Sequence, residues 1–244
     1  MLVLYRVYQI FVMIPVLLVA TIVAATLTIL GSLVGAQRVM GYWPGHLWAR
    51  LFCAMSLVRV RVHGRENIDR RTSYVFVANH QGAYDIFAIY GYLRHNFRWM
   101  MKKSLERIPF VGFSCKISGH IFVDNSTPSA TAHTMAAAEK QLSGGMSVVV
   151  FPEGSRSRDG KMHGFRRGAF KLATEFSLPV VPITIDGAYR VMRRGSVLPH
   201  WGTINLTIHE PIEVSAETGR HELTELMERS SAAIASALPA SQRP

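Results

Sequence analysis

Between Arg6 and Arg38 the chain carries no charged residue, and most of the intervening positions are Val, Ile, Leu, Ala, Phe or Met. Such a run is solvated by lipid more readily than by water. As a helix rising ~1.5 Å per residue it outruns the ~30 Å hydrocarbon core, so it fits one tilted span or a bent, partly submerged helix. Pro15, Gly31 and Gly35 are the expected bend points. A cleavable signal peptide fits less well, because its apolar core runs only about 7 to 15 residues. Arg38, Arg50, Arg59, Arg61 and Arg65 follow the segment while Arg6 alone precedes it. That bias expects the remainder on the cytoplasmic side of the cell inner membrane, or of another cytoplasm-facing membrane.

The stretch from Tyr42 to Leu57 mixes Trp43, Trp48 and Phe52 with Arg50. It suits an interfacial helix, or a helix docked on the domain's own core. Residues 1–57 are therefore read as an anchoring helical region and 58–244 as one globular domain. The formal charge of +11 over 244 residues calls for an anionic partner: nucleic acid, an anionic membrane surface, or a phosphorylated substrate. A hydrophobic fraction of 49% and a mean hydropathy of +0.17 argue against nucleic acid and for lipid. Cys53 and Cys115 stand far apart with no paired motif, which suggests neither a disulfide framework nor a zinc site.

From Val58 onward short apolar runs alternate with helix-like segments. Strands are expected at Val58 to Val62, Tyr74 to Ala78, Phe97 to Met100, Ile121 to Val123, Val148 to Phe151, Val180 to Ile185 and Thr203 to Ile208. Thr127 followed by Pro128 opens a helix that Gly144 closes, and Phe165 to Phe176 and His221 to Leu238 are further helical stretches. The pattern predicts an α/β fold, a mixed and partly parallel sheet flanked by helices, with the hydrophobic anchoring segment at the N-terminus.

Two motifs begin where expected strands stop. In Asn79-His80-Gln81-Gly82-Ala83-Tyr84-Asp85, the His and Asp would diverge by about 140° on one continuous helix, so they meet only across a turn. Gly82 relaxes that turn, and Asp85 falls in the first turn of a helix running to Tyr92, where the dipole favours a carboxylate. Asp85 then holds one ring nitrogen of His80 and leaves the other free as a base. Taken alone, such a pair serves packing or capping more often than catalysis. The second motif is Phe151-Pro152-Glu153-Gly154-Ser155-Arg156-Ser157. Gly154 allows close backbone approach, Arg156 offers a planar fork for phosphate oxygens, and Arg158, Lys161, Arg166, Arg167 and Lys171 follow. Glu153 among these cations is expected to orient Arg156 or to receive a substrate hydroxyl. Ligands of open α/β sheets bind outside the carboxyl ends of strands, so the two motifs are expected to share a cleft.

In order and spacing these motifs resemble those of the glycerolipid acyltransferase family. The family's asparagine-histidine, four residues and aspartate is similar to Asn79 through Asp85. Its Phe-Pro-Glu-Gly-Thr-Arg-Ser block differs from Phe151 to Ser157 only at Ser155. Phe165 to Phe170, Leu178 to Ile183, and Lys102-Lys103-Ser104-Leu105 leading to Ile108-Pro109 are similar too, so the resemblance covers roughly Val58 to Ile208. It implies His80 as general base, Asp85 as its orienter, and Glu153, Gly154, Ser155, Arg156 and Lys102 as substrate-binding residues. It further implies transfer of a fatty acyl group from acyl-CoA or acyl carrier protein to the sn-2 hydroxyl of lysophosphatidic acid, giving phosphatidic acid for phospholipid biosynthesis.

That chemistry needs no cofactor, no metal and no acyl-enzyme, so Cys115 and Ser104 are not expected to be nucleophiles. His120, His133, His163 and His200 are expected to be packing or surface residues. One block departs: Asn125 stands where the family usually has an arginine linked to the glycerol phosphate. An acyltransferase for another lyso-lipid, such as a lyso-ornithine lipid or a headgroup-bearing lysophospholipid, is the alternative. A metal-dependent phosphohydrolase would need converging ligands that Asp85, Asp124 and Asp159 do not convincingly supply. A non-catalytic membrane adaptor would explain the charge and the apolar run but not the two strand-end motifs.

Overall fold

The computed structural model describes residues 1–124, 126–214 and 220–244. Asn125, on which the expected departure rests, lies outside them. Among the described residues seven strands form one sheet: β1 (Val58–His63), β2 (Val75–Ala78), β3 (Phe97–Lys102), β4 (Ile121–Val123), β5 (Ser147–Val150), β6 (Val180–Asp186) and β7 (Gly202–Ile208). Their order is β1-β7-β6-β2-β5-β3-β4. Pairing is parallel except between β6 and β7. The reversal makes β7 and β1 run opposite to the rest, so the sheet is mixed as the alternating pattern predicts. Every expected strand is present, with ends displaced by a residue or two.

The first layer of helices comes from the N-terminal region. α1 (Leu2–Tyr8), a π-helical turn (Gln9–Met13) and α2 (Ile14–Leu33) form a continuous apolar rod, the one described helix long and apolar enough to cross a membrane. The wide turn directly precedes Pro15, whose missing N–H interrupts the ladder. Gly31 is not a bend but a contact point, since a Cβ there would lie 2.2 Å from the Met40 side chain on α3 (Gln37–Met40). The chain turns instead at Gly35, where φ is +84°. The rod does not project from the domain. Tyr5 and Tyr8 hydroxyls donate to the carbonyls of Ser56 and Met55, Gln9 Nε2 donates to Pro199 O at 2.8 Å, and Trp48 Nε1 donates to Thr21 Oγ1 at 2.8 Å. Much of its remaining surface, including Leu18, Val19, Leu27 and Leu30, stays exposed.

α4 (Trp43–Met55) buries Ala49 and Cys53 against α5 (Tyr84–Tyr92) and leaves Trp43 and Leu47 exposed. Docking on the core and an apolar outer face therefore coexist in one helix. On the other side of the sheet lie α7 (Pro128–Ser143), α8 (Gly168–Glu175) and α10 (Arg220–Ser236), while α6 (Val111–Ile117) precedes β4 and α9 (Ala188–Val191) follows β6. Thr127 caps α7 by accepting from Ala130 N at 3.1 Å, as the Thr-Pro pair predicts. Helix α8 starts later than expected, because Arg166 N donates to Pro152 O and ties the preceding residues to a strand-end loop.

β2 explains why its sequence shows no polar alternation. Phe76 and Ala78 pack under α4 and α5 while Val75 and Val77 pack toward α8 and α10, so both faces are dry. Each of the valines and the phenylalanine contributes about 1.5–3 kcal/mol by leaving water. A central strand this well held gives the turn at its carboxyl end a firm base.

Candidate active site

Residue 79 leaves β2 with its side chain bridging to β6: Asn79 Nδ2 donates to Ile185 O at 2.9 Å and Asn79 Oδ1 accepts from Ile185 N at 2.8 Å. The chain then turns sharply into α5. Gly82 enables the turn by proximity rather than by a left-handed φ, since a Cβ would lie 2.4 Å from Ala188 O. Across this turn His80 Nδ1 lies 2.8 Å from Asp85 Oδ2. The same carboxylate oxygen accepts from Gln81 N at 2.7 Å and Gly82 N at 2.8 Å. Asp85 is fully buried, and this one oxygen gathers all three contacts. A proton on Nδ1 is thus held by Asp85, which leaves Nε2 of His80 as an acceptor.

The imidazole lies flat on the ring of Phe151, with centroids 3.9 Å apart at 10°, and Trp99 continues the stack at 5.6 Å. Its side chain keeps 13% exposure, enough for a reactant to reach it. β2, β3 and β5 are parallel neighbours, so their carboxyl ends form one edge of the sheet. His80, Lys102 and the Phe151 to Ser157 loop all lie along that edge.

Glu153 does not orient Arg156, the first of its two expected roles. It is buried, and its two carboxylate oxygens accept main-chain N–H groups: His80 N at 2.7 Å on Oε1 and His163 N at 3.1 Å on Oε2. No ion pair joins it to Arg156 among the described residues. Burial pushes its carboxyl up to about 7, outweighing the two N–H bonds. Ser157 N donates to His80 O at 2.8 Å, so the two motif loops are clasped at both polar groups of the His80 backbone. Sequence reasoning missed this, because main-chain partners leave no residue-type signal.

Gly154 adopts φ +76°, and a Cβ there would come within 2.9 Å of the Arg166 guanidinium. Ser155 and Arg156 come next, half-buried, and Lys102 is exposed at the end of β3. Arg156 has no carboxylate partner among the described residues. Gln81 also belongs to the site's framework, its Nε2 donating to Gly160 O at 2.8 Å. His120 is a packing residue whose Nδ1 accepts from Trp99 N, and its burial lowers its pKa to about 3. Burial pushes the Cys115 thiol up to about 11, which keeps it protonated at neutral pH. Among the described residues no group of three or more His, Cys, Asp or Glu side chains converges as metal ligands.

A family model described as Acyltransferase matches residues 59–186, the span that contains both clasped loops. The chain belongs to this acyltransferase family. Its acyltransferase relatives include a chloroplastic 1-acyl-sn-glycerol-3-phosphate acyltransferase of Arabidopsis thaliana, 30% identical over 222 residues, covering 84% of this chain and 62% of that protein. A 1-acyl-sn-glycerol-3-phosphate acyltransferase of Saccharomyces cerevisiae is 29% identical over 214 residues, covering 82% of this chain and 70% of that protein. The chain spans between 56% and 62% of the length of the first three such curated relatives. The crystal structure of the 1-acyl-sn-glycerophosphate acyltransferase from Thermotoga maritima superposes with a TM-score of 0.76 at 23% identity, covering 96% of both chains, and so shares the acyltransferase fold seen here.

Proposed function

We propose that this protein transfers a fatty acyl group from a thioester donor, acyl-CoA or acyl carrier protein, to the sn-2 hydroxyl of lysophosphatidic acid, forming phosphatidic acid. The observation that carries the reading is the His80 to Asp85 contact of 2.8 Å at the carboxyl edge of the sheet, with Nε2 left free. Nε2 takes the hydroxyl proton while that oxygen bonds to the thioester carbonyl carbon. The C–S bond then breaks, and the thiolate leaves with the proton that the imidazolium returns. Base catalysis of this kind contributes roughly 10²- to 10⁴-fold.

Arg156 and Lys102 bind the acceptor's phosphate, and Gly154 and Ser155 shape the loop that presents it. Both chemical partners of the reaction are lipids or lipid carriers, so residues 1–57 hold the catalytic domain, 58–244, against the cytoplasmic leaflet. The cationic surface adds attraction to anionic lipid there. A second reading, in which the acceptor is another lyso-lipid, is favoured by Asn125 standing in place of the family's arginine.

Purified protein supplied with labelled acyl-CoA or acyl carrier protein and a panel of lyso-lipids, beside His80→Ala, tests the proposal. Selective conversion of lysophosphatidic acid that the variant loses is the expected outcome. Conversion of a different lyso-lipid alone moves the substrate, and turnover that does not depend on His80 sinks the mechanism.

A further inference from the structure

The segment after β3 has no role in the chemistry above, yet its surface is unusual. Within one short stretch Leu105 is 39% exposed, Ile108 43%, Phe110 63% and Phe113 55%. Isolated exposed apolar side chains are ordinary, but four together on a protrusion mark a contact surface. The protrusion is also rigidly built. A 3₁₀ turn at Lys103–Arg107 leads into α6, Gly112 packs so tightly on Glu106 O that a Cβ would lie 2.1 Å away, and Lys116 Nζ meets Glu106 Oε1 at 2.9 Å. At its tip Phe110 holds φ +59°, a conformation costly for a side chain that gains no burial within the protein.

We infer that this Leu105 to Phe113 protrusion is a second bilayer-inserted element, a wedge that works beside the N-terminal rod. Two observations select a lipid bilayer as its occupant. First, α6 packs directly against α2, and Gln37 beyond the end of the rod donates to Ile117 O, so the wedge continues the apolar surface of the rod. Second, exposed cations accompany the stretch: Lys103 and Lys116 pair with Asp124 and Glu106, while Lys102 and Arg107 have no carboxylate partner among the described residues. Unpaired cations beside apolar side chains suit a surface that meets anionic headgroups. The wedge starts three residues after Lys102 at the carboxyl edge of the sheet, which brings the headgroup layer to the site. The inference rests on the membrane reading of residues 1–57.

The test is depth-dependent quenching on the full chain, reconstituted into phosphatidylethanolamine and phosphatidylglycerol vesicles. In a Cys115→Ser background, where the remaining Cys53 is buried, an environment-sensitive fluorophore is placed by Phe113→Cys and, separately, by Ile22→Cys on the rod. A blue-shifted label at 113, quenched several-fold more strongly by doxyl groups on lipid acyl chains than by iodide, is the expected result. A label at 22 quenched by lipid while the label at 113 is quenched by iodide overturns the wedge and leaves the anchor intact. Iodide quenching at both positions overturns both. A shift at 113 that tracks protein concentration and ignores lipid-borne quencher assigns the surface to a second copy of the chain and overturns the inference. Lipid quenching at 113 alone removes the rod as anchor and overturns the inference of a wedge that works beside it.

Discussion

The two motif loops at the carboxyl edge of the sheet use their charges in opposite ways. In the turn after β2, Asp85 is fully buried, and one of its oxygens gathers the His80 ring and two main-chain N–H groups. In the loop after β5 the carboxylate of Glu153 grips two main-chain N–H groups, whereas Arg156 is left without an acidic partner among the described residues. The first loop uses its charge to aim a side chain; the second uses one charge to clasp the loops together and leaves another unpaired, the one proposed to bind the acceptor's phosphate. Residues adjacent in a motif thus divide into those bound into the framework and those left unpaired.

Asp85→Asn strikes that division hardest. The neutral amide still fills the turn but no longer fixes the ring proton on Nδ1, and kcat is expected to fall by roughly 10²- to 10⁴-fold with little change in KM. A loss confined to KM, measured by steady-state acyl transfer, would place Asp85 with the ligand-binding groups and break the contrast.

Glu153 supplies the next largest effect, on stability rather than rate. Its folded-state pKa of about 7 lies above the ordinary 4.5, so the native protein holds this proton more tightly than the unfolded chain. The contribution is present in full below pH 4.5 and is lost as pH rises to about 7, by about 3 kcal/mol relative to Glu153→Gln. Thermal melts of both proteins in detergent across that range measure it, and parallel pH profiles would show that the carboxyl is not so perturbed.

Arg156→Ala is expected to raise KM for a phosphate-bearing acceptor by about tenfold or more, as loss of a charge-assisted contact does. The melting temperature should not move, because no described carboxylate depends on the arginine. A fall in melting temperature without a KM effect would make Arg156 a structural residue like Glu153. Gly154→Ala should cost the least, about 1 kcal/mol for the left-handed backbone, provided the Arg166 head group shifts aside. Equilibrium unfolding reads that cost.

Much of this architecture was legible in the amino-acid order, for reasons that differ by element. The strands announced themselves through β-branched runs, and the Thr127 cap through a hydroxyl before proline. The His80 to Asp85 turn came from helix geometry alone, since five residues cannot bring two side chains together on one helix face. The partners of Glu153 were illegible because they are backbone amides from loops that close only in three dimensions. Gly82 was read as a flexible residue, whereas its size matters because Ala188 O fills the space a Cβ would take. The docking of α4 needed the shape of α5 beside it, as the apolar pattern served a bilayer or a core equally.

The antiparallel pairing of β6 and β7 has one more consequence. It sets β1 running against the central strands, so Val58, where the N-terminal helices join the sheet, sits at the same edge as the carboxyl ends of β2, β3 and β5. Ser56 and the Tyr84 hydroxyl touch there, just before and just after the two segments meet. The helices of residues 1–57 thus enter the sheet at the edge that carries His80, and they stay packed on the domain beside it. Had β1 and β7 run the other way, the same helices would join the sheet at the opposite edge, away from His80.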